Sequence, residues 1–264
     1  MIVLVLLSVV MIFPFYWLVR SSFMTQREIQ TMPIKWLPSR FNFDNYIGAM
    51  KAAPFSLYFR NSVFLVVTNM IGAILSSSFV AFGFSRLKYK GQGILFALLI
   101  STMMIPGTVL MIPQFVGWRI AGAYNTFLPL MLPAFFGSAF FVFLLRQFLI
   151  GIPKDYDEAA FVDGANYFTI YWRVIMPLSK PALCTVGVFT FMNVWNDFMG
   201  PLLYLEKQNL RTVALGLQVF IGEYRTQTNY LMAASTLAVI PMIVLFFLAQ
   251  RYFIEGITFS GLKG

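Results

Sequence analysis

The sequence contains no histidine and a single cysteine, Cys184, among its 264 residues. One cysteine excludes an internal disulfide, and without histidine neither a Cys/His zinc cluster nor a Ser-His-Asp triad can be assembled. Histidine is also the most common general acid or base in enzymes. An enzyme built on this sequence would depend on carboxylates, and no nucleophile–base pair is recognisable, so neither a metal site nor a catalytic site is expected.

Charged residues are scarce as well, at 11% of the chain, against about 25% in a typical soluble domain. Apolar residues make up 59%, and the mean hydropathy is +0.76. This composition leaves too little polar surface to cover a water-soluble globule. We therefore expect an all-α, polytopic membrane protein that forms a single transmembrane domain over 1–264.

Basic residues outnumber acidic ones by 19 to 10, which gives a net charge of +9. They are scattered between apolar runs rather than gathered in one patch, so no nucleic-acid partner is expected. Basic residues at the ends of apolar segments are typical of proteins that border anionic lipid headgroups.

Six apolar segments reach the length of about 20 residues that a helix needs to cross a bilayer. They are 1–19, 60–84, 93–114, 126–149, 182–203 and 230–250. The short loop 85–92 holds Arg86, Lys88 and Lys90, whereas 115–125 holds only Arg119. Because short cytoplasmic loops are enriched in Lys and Arg, we expect 85–92, the loop 150–181 and both termini in the cytoplasm.

Prolines and small residues interrupt these segments. Four prolines predict kinks in the third and fourth spans: Pro106, Pro113, Pro129 and Pro133. Asn69, Gly72 and Ser76 share one face of the second span, which favours close helix–helix packing over a role in lining a pathway.

The loop stretch 151–165 predicts a short helix outside the membrane. Pro153 suits a first-turn position, the acidic residues that follow it suit the positive end of the helix dipole, and Gly164 supplies a left-handed stop. A second short helix is expected over 167–173, until Pro177 and Pro181 break it.

This loop resembles a motif of the permease subunits of binding-protein-dependent ABC importers: Glu-Ala-Ala, three residues, Gly, nine residues, Ile-x-Leu-Pro. The chain has Glu158-Ala159-Ala160, then Gly164, then Val174-Ile175-Met176-Pro177 at the same spacing. Val for Ile and Met for Leu are the departures, and both remain apolar. An ordinary amphipathic linker that matches by chance is the alternative.

The chain is similar over most of its length to the carbohydrate branch of the family, and within that branch to the smaller permease of maltose-type transporters. The Asp163-Gly164-Ala165 extension and the C-terminal Gln250–Gly264 stretch carry this resemblance. It implies a bacterial inner-membrane subunit that pairs with a second permease, two ATPase subunits and an extracytoplasmic solute-binding protein, with ATP and Mg held by the ATPase. It also implies that 154–168 is a coupling helix against the ATPase, with these contact residues: Asp157, Glu158, Ala159, Ala160, Asp163, Gly164 and Ala165.

Two further regions are candidates for function. In the fifth span, Asn193, Asn196, Asp197 and Gly200 fall on one helix face, as a stripe that lines the solute pathway or as interhelical contacts. The outer loop 204–229, which includes Gly222-Glu223-Tyr224, matches in position a loop that approaches the binding protein in this family; a merely solvated loop is the alternative.

Two other functions remain open. A non-sugar solute is compatible with the same family. A secondary transporter that works without ATP needs an ion-coupling site, for which only Asp197 is a candidate within the spans, and it would leave the Glu158 loop unexplained.

Overall fold

The computed structural model describes residues 1–221 and 227–260, with side chains up to Gln250. Within these residues the chain is helical and contains no strand, which confirms the all-α prediction. The α-helices, numbered in chain order, are α1 Ile2–Ser22, α2 Gln26–Gln30, α3 Asp44–Ala52, α4 Phe55–Arg86, α5 Gln92–Ser101, α6 Gly107–Ile120, α7 Leu128–Met131, α8 Ala139–Ile150, α9 Asp155–Val162, α10 Tyr167–Ile170, α11 Met176–Leu178, α12 Lys180–Trp195, α13 Met199–Tyr204, α14 Val213–Gly216 and α15 Thr228–Ser260.

Short segments of other helix types connect some of these elements. Tyr171–Ile175 is a π-helical turn that joins α10 to α11. Four segments are 3-10 helices: Thr102–Met104, Leu132–Phe136, Gln208–Leu210 and Leu217–Phe220.

Among the described residues, four helical stretches are long and apolar enough to cross a membrane: Ile2–Ser22, Phe55–Arg86, Leu128–Ile150 and Thr228–Gln250. Two bent pairs reach the required length together. Gln92–Met104 and Gly107–Ile120 meet at 96°, and Tyr167–Leu178 and Lys180–Trp195 meet at 78°. If each bent pair counts as one span, the total is the six that composition predicts.

The first bend lies at Pro106, as predicted, because proline has no N–H and favours an extended residue before it. Ile105 has φ −82° and ψ 115°, and Pro106 itself stands outside α6. Pro113, in contrast to Pro106, lies inside α6. Pro129 and Pro133 occupy the first turns of α7 and of the 3-10 segment that follows it, so they begin helices rather than kink one.

The chain divides into two compact units, each with its own core. The assignment of 1–264 to a single transmembrane domain stays a prediction. The first unit comprises Met1–Ser62 and Glu206–Leu245. Its core contains Phe55, whose ring stacks on that of Phe220 at 5.5 Å between centroids. Tyr58 and Ala233 are fully buried beside them.

The second unit comprises Val63–Leu205 and the end of α15 from Phe246. Its core joins α4, α8 and the segment 170–175 through fully or nearly buried side chains such as Val142, Leu145 and Ile175. Ser78 and Tyr171 share a buried hydrogen bond of 2.7 Å between their hydroxyls, and Tyr171 meets Phe82 edge to face.

Small residues of α4 permit close packing in this unit. A Cβ at Gly72 would lie 2.9 Å from the ring of Phe135, and the Ser76 hydroxyl donates to the Ala134 carbonyl at 2.9 Å. Asn69 is buried and donates to the Leu65 carbonyl of its own helix. These contacts agree with the packing interpretation of this face.

A capping box begins α2 in the loop before α4. Thr25 accepts from the Glu28 amide at 3.3 Å, and the Glu28 carboxylate accepts from the Thr25 amide at 3.0 Å. Glu28 also accepts from the Ser39 amide at 3.3 Å and therefore joins two parts of the loop. Hydrogen bonds from Ser39 and Thr25 lower the pKa of Glu28 from its ordinary value of 4.5 to about 2.

This loop is expected to lose its ordering in acid. Because the pKa of Glu28 is lowered on folding, its stabilisation is complete above about pH 4.5 and is lost as the pH falls toward 2. Amide hydrogen exchange at Thr25 and Ser39, corrected for intrinsic rates, should accelerate over that interval. A Glu28→Gln variant, which cannot ionise, should show no such step; an identical acid transition in this variant would contradict the assignment.

Candidate functional site

The loop 150–181 forms two short helices, α9 and α10, that meet at Gly164. The helix α9 begins at Asp155 and not at Pro153, which lies just outside it; Lys154 is the N-cap residue. The helix ends at Val162, as the predicted stop at Gly164 requires, so the segment 154–168 expected as the coupling helix is divided between α9 and α10. The break occurs because Gly164 adopts φ +80°, a conformation that a helix cannot continue.

A Schellman motif closes α9. The Gly164 amide donates to the Phe161 carbonyl at 3.0 Å, and the Ala165 amide donates to the Ala160 carbonyl at 2.9 Å. This pair of bonds satisfies carbonyls that the end of a helix leaves free. Ala160 and Ala165, which the motif brings together, both pack against the core of the second unit.

The turn leads directly into α10, whose start is capped by Asn166. Its side-chain oxygen accepts from the Thr169 amide at 2.8 Å. The rings of Phe161 and Tyr167 meet edge to face at 5.0 Å and connect the two helices across the turn.

The second short helix runs further than the sequence predicted. Instead of ending at Pro177, the helical path continues through the π turn and α11 to Leu178 and bends at Ser179. The π turn ends at Ile175, two residues before Pro177, where the missing N–H and the ring disturb an α-helix.

The predicted coupling residues divide between two faces of α9 and its C-terminal turn. Glu158, Ala159, Asp163 and Gly164 are exposed, whereas Ala160 and Ala165 are half-buried against the core. Within the described part of the chain, the Glu158 carboxylate makes no hydrogen bond or ion pair. Its oxygens are therefore available to a partner.

Asp157 faces inward and pairs with a residue that sequence reasoning had only counted as a loop charge. Its Oδ2 lies 3.2 Å from Nη1 of Arg86, the last residue of α4. The Arg86 side chain is 3% exposed and that of Asp157 14%. Arg86 also donates through Nη2 to the Ile152 carbonyl at 3.0 Å, so it holds both the approach to α9 and its first turn.

Burial raises the pKa of Asp157 above its ordinary value, and the Arg86 guanidinium opposes that rise. A buried ion pair gains stability only where its geometry offsets the loss of hydration. Asp157 Oδ1 and Arg86 Nε are both buried without a hydrogen-bond partner. The pair therefore serves to fix the position of α9 more than to add net stability.

Aromatic and aliphatic side chains around this turn remain exposed although the segment lies outside the apolar spans. Val162 is 88% exposed, Phe168 64%, and Tyr156 and Tyr167 about half. Exposed apolar groups next to a carboxylate without a partner are typical of a protein–protein contact surface.

The predicted stripe in the fifth span is not a single helix face. The helix α12 ends at Trp195, and α13 begins at Met199, so Asp197 and Gly200 do not continue the face of Asn193. Pro201 has no N–H for the carbonyl of residue 197, and the Asp197 carboxylate accepts from the Gly200 amide at 3.0 Å instead. These two local effects break the helix.

The three candidate pathway residues have different environments. Asn193 is exposed, Asn196 is exposed and donates to the Met192 carbonyl at 2.8 Å, and Asp197 is half-buried. A Cβ at Gly200 would overlap the Asp197 carboxylate and lie 2.9 Å from Leu130, so this turn requires glycine.

Substitutions at Asp197 distinguish a role in forming the turn from a role in lining the solute pathway. Asp197→Asn keeps the side-chain acceptor and should leave thermal stability almost unchanged, whereas Asp197→Ala removes it and should cost about 1 kcal/mol. Thermal unfolding of the two variants in detergent tests this. Equal stability of both variants, with transport lost in both, would favour the pathway role.

The outer loop 204–229 is anchored within the first unit at residues 209–213. The Asn61 amide donates to the carbonyls of Asn209 and Arg211 at 2.8 and 3.0 Å, and the Ser62 hydroxyl accepts from the Val213 amide at 2.9 Å. Residues 206–209 are exposed on this anchored segment. The predicted contact residues Gly222-Glu223-Tyr224 lie outside the described residues, as does the end of the C-terminal stretch from Gly261.

Comparison with known proteins gives a consistent result. Residues 68–258 match the family described as "Binding-protein-dependent transport system inner membrane component". The probable starch degradation products transport system permease protein of Thermoanaerobacterium thermosulfurigenes is 34% identical over 98% of this chain and 94% of its own length. The arabinooligosaccharides transport system permease protein of Halalkalibacterium halodurans is 31% identical over 98% and 93%.

A solved structure shares the fold. The crystal structure of a bacterial ABC transporter involved in the import of the acidic polysaccharide alginate contains a chain that superposes with a TM-score of 0.86. The superposition covers 96% of this chain and 94% of that chain, and the two sequences are 22% identical.

Proposed function

Because this chain belongs to the family of inner membrane components of binding-protein-dependent transport systems, we propose that it is the permease subunit of an ATP-driven sugar or oligosaccharide importer. The family consists of transport subunits and not of enzymes. Its members work with a partner permease, an ATPase and a binding protein. The chain is accordingly a multi-pass protein of the bacterial inner membrane.

We further propose that α9 and its C-terminal turn transmit ATP-driven movement from the ATPase to the transmembrane helices. The observation that carries this proposal is the exposed Glu158, which has no bond within the described residues and lies on a helix that Arg86 and the Schellman motif hold in place. A contact surface can transmit force only if the structure behind it is rigid. In this loop, Arg86 fixes the start of α9 and the Schellman motif fixes its end.

The coupling residues then have three distinct roles. Glu158 offers its carboxylate to a basic or hydrogen-bonding group of the ATPase, and Ala159 permits close approach. Asp163 and Gly164 form the exposed turn. Asp157, Ala160 and Ala165 face inward and fix the helix to the rest of the subunit.

A sugar or oligosaccharide is the proposed solute because relatives similar over almost the whole chain are named for arabinooligosaccharides and for products of starch degradation. Asn193 and Asn196 are exposed amide groups near the end of α12, and such groups can bind sugar hydroxyls. A non-sugar solute remains the second candidate.

The proposed assembly is a heterodimer with a second, related permease, two ATPase subunits that hold ATP and Mg, and an extracytoplasmic solute-binding protein. The anchored part of the outer loop at residues 206–209 provides a firm exposed surface for that binding protein. The surrounding membrane lipids complete the set of partners.

Uptake of a labelled oligosaccharide by the complex in proteoliposomes tests the function. Uptake should require ATP, the binding protein and this subunit, and vanadate should stop it. Uptake that continued without ATP hydrolysis would refute the importer and favour a secondary transporter. ATP-dependent uptake of a non-sugar solute, with no sugar bound by the cognate binding protein, would refute only the choice of solute.

A further inference from the structure

An open cavity of about 310 Å³ lies where three apolar helices of the second unit end. The helix α4 ends there at Arg86, α5 begins at Gln92, and α8 ends at Ile150. Such a position corresponds to the level of the lipid headgroups, because apolar helices end where the hydrocarbon does.

The lining of this cavity contains both basic and apolar side chains. Arg86, Lys88, Arg146 and Lys154 line it, and no carboxylate is present among the lining residues. Phe96 and Ile150 contribute apolar surface. The cavity therefore combines positive charge with hydrophobic surface at one point of the membrane boundary.

Three of the four cations are available to a ligand. Arg86 is occupied by Asp157 and the Ile152 carbonyl. Arg146 is held in place because its Nε donates to the Phe84 carbonyl at 3.2 Å and its Cζ lies 4.2 Å from the centre of the Phe96 ring. In the described part of the chain its terminal nitrogens form no hydrogen bond, and the exposed Lys88 and Lys154 form no salt bridge.

We propose that this cavity binds the phosphate of an anionic phospholipid headgroup. Lys88, Arg146 and Lys154 neutralise the phosphate, and Phe96 and Ile150 contact the start of the acyl chains. The first N–H groups of α5, a helix of 10 residues, add partial positive charge at Gln92 and Gly93. Basic pockets between membrane helices bind anionic headgroups in this way.

A lipid fits this cavity better than free phosphate does. Inorganic phosphate would leave the apolar side chains of the lining in contact with water, whereas a phospholipid contacts the basic and the apolar side chains at once. A basic residue near a membrane surface strengthens attraction to anionic lipid by about fivefold. Two lysines removed together should therefore weaken binding by about 25-fold.

Lipid retention by the full transporter complex tests the proposal. The complex is reconstituted in phosphatidylcholine nanodiscs with a minor fraction of phosphatidylglycerol, extracted into detergent, and its bound phosphatidylglycerol is counted by native mass spectrometry. The Lys88→Gln/Lys154→Gln variant should lose one bound phosphatidylglycerol per subunit. Lys90→Gln/Lys180→Gln is the matched control, because both of its lysines are exposed and neither lines the cavity.

Equal retention by the cavity variant and its control would overturn the proposal, since it would reduce the effect to general surface charge. A second arm adds inorganic phosphate to the complex in pure phosphatidylcholine. Phosphate binding that depends on Lys88 and Lys154, without enrichment of phosphatidylglycerol, would overturn the lipid assignment. Thermal unfolding confirms that both variants fold. The readout is lipid content and not transport, so a failure here is distinct from a failure of the importer.

Discussion

Replacement of Glu158 with Lys is expected to abolish stimulation of the ATPase by this subunit, with a loss of at least about tenfold. The carboxylate is exposed in the first turn of α9 and forms no hydrogen bond or ion pair within the described part of the chain, so the change removes no such bond there. Reversal of a charge at an interface places like charges together, which costs several kcal/mol. ATP hydrolysis by the complex, with and without loaded binding protein, measures the effect.

A matched control is available at Asp44. It is an exposed carboxylate in the first turn of α3, so Asp44→Lys causes a comparable loss of helix-dipole stabilisation, about 0.3–1 kcal/mol, in a loop predicted on the opposite side of the membrane. ATPase stimulation should survive in this control. Normal stimulation in the Glu158→Lys complex would refute the coupling role of α9.

The second large effect is expected at the Arg86–Asp157 pair. Arg86→Met leaves the Asp157 carboxylate buried without its partner, and removal of one member of a buried pair costs about 3–5 kcal/mol. We expect a lower unfolding temperature and reduced coupling even though Arg86 does not touch the proposed ATPase surface. Thermal unfolding and ATPase stimulation, measured on the same preparation, report both losses.

Removal of both charges should be milder than removal of one. Arg86→Met with Asp157→Leu replaces the pair by apolar groups and should recover most of the stability, although the bond to the Ile152 carbonyl remains lost. Lys90→Met, an exposed base in the same connection, is the control and should have little effect. A double variant as unstable as Arg86→Met alone would show that the pair is not the source of the effect.

The apolar helices and the turn at Gly164 could be predicted from sequence because their causes are local. A run of about 20 apolar residues predicts a membrane helix wherever its neighbours lie. Gly164 predicts the end of α9 since only glycine adopts its positive φ without strain. Pro106 predicts its bend for an equally local reason.

The other features depend on contacts between residues that are far apart in the sequence. Arg86 and Asp157 are brought together by the packing of α4 against the loop after α8, so the sequence gives no sign that this arginine has a specific partner. The break after Trp195 had a local signal in Pro201 and Asp197, but the helical spacing of the polar residues hid it. Asn61, a buried residue that anchors the outer loop, was likewise indistinguishable from a residue of an apolar helix.

The bend at Pro106 has a consequence for what surrounds this subunit. Residues 101–110 are all exposed, yet they interrupt a stretch that is apolar enough to cross the membrane. A helix start leaves its first amide groups without internal partners, and hydrocarbon supplies no hydrogen bonds to replace them. Lipid tails therefore cannot be the neighbour of this corner. Water or another polypeptide must solvate the start of α6, so this corner lies against an aqueous space or against another protein rather than against the lipid tails.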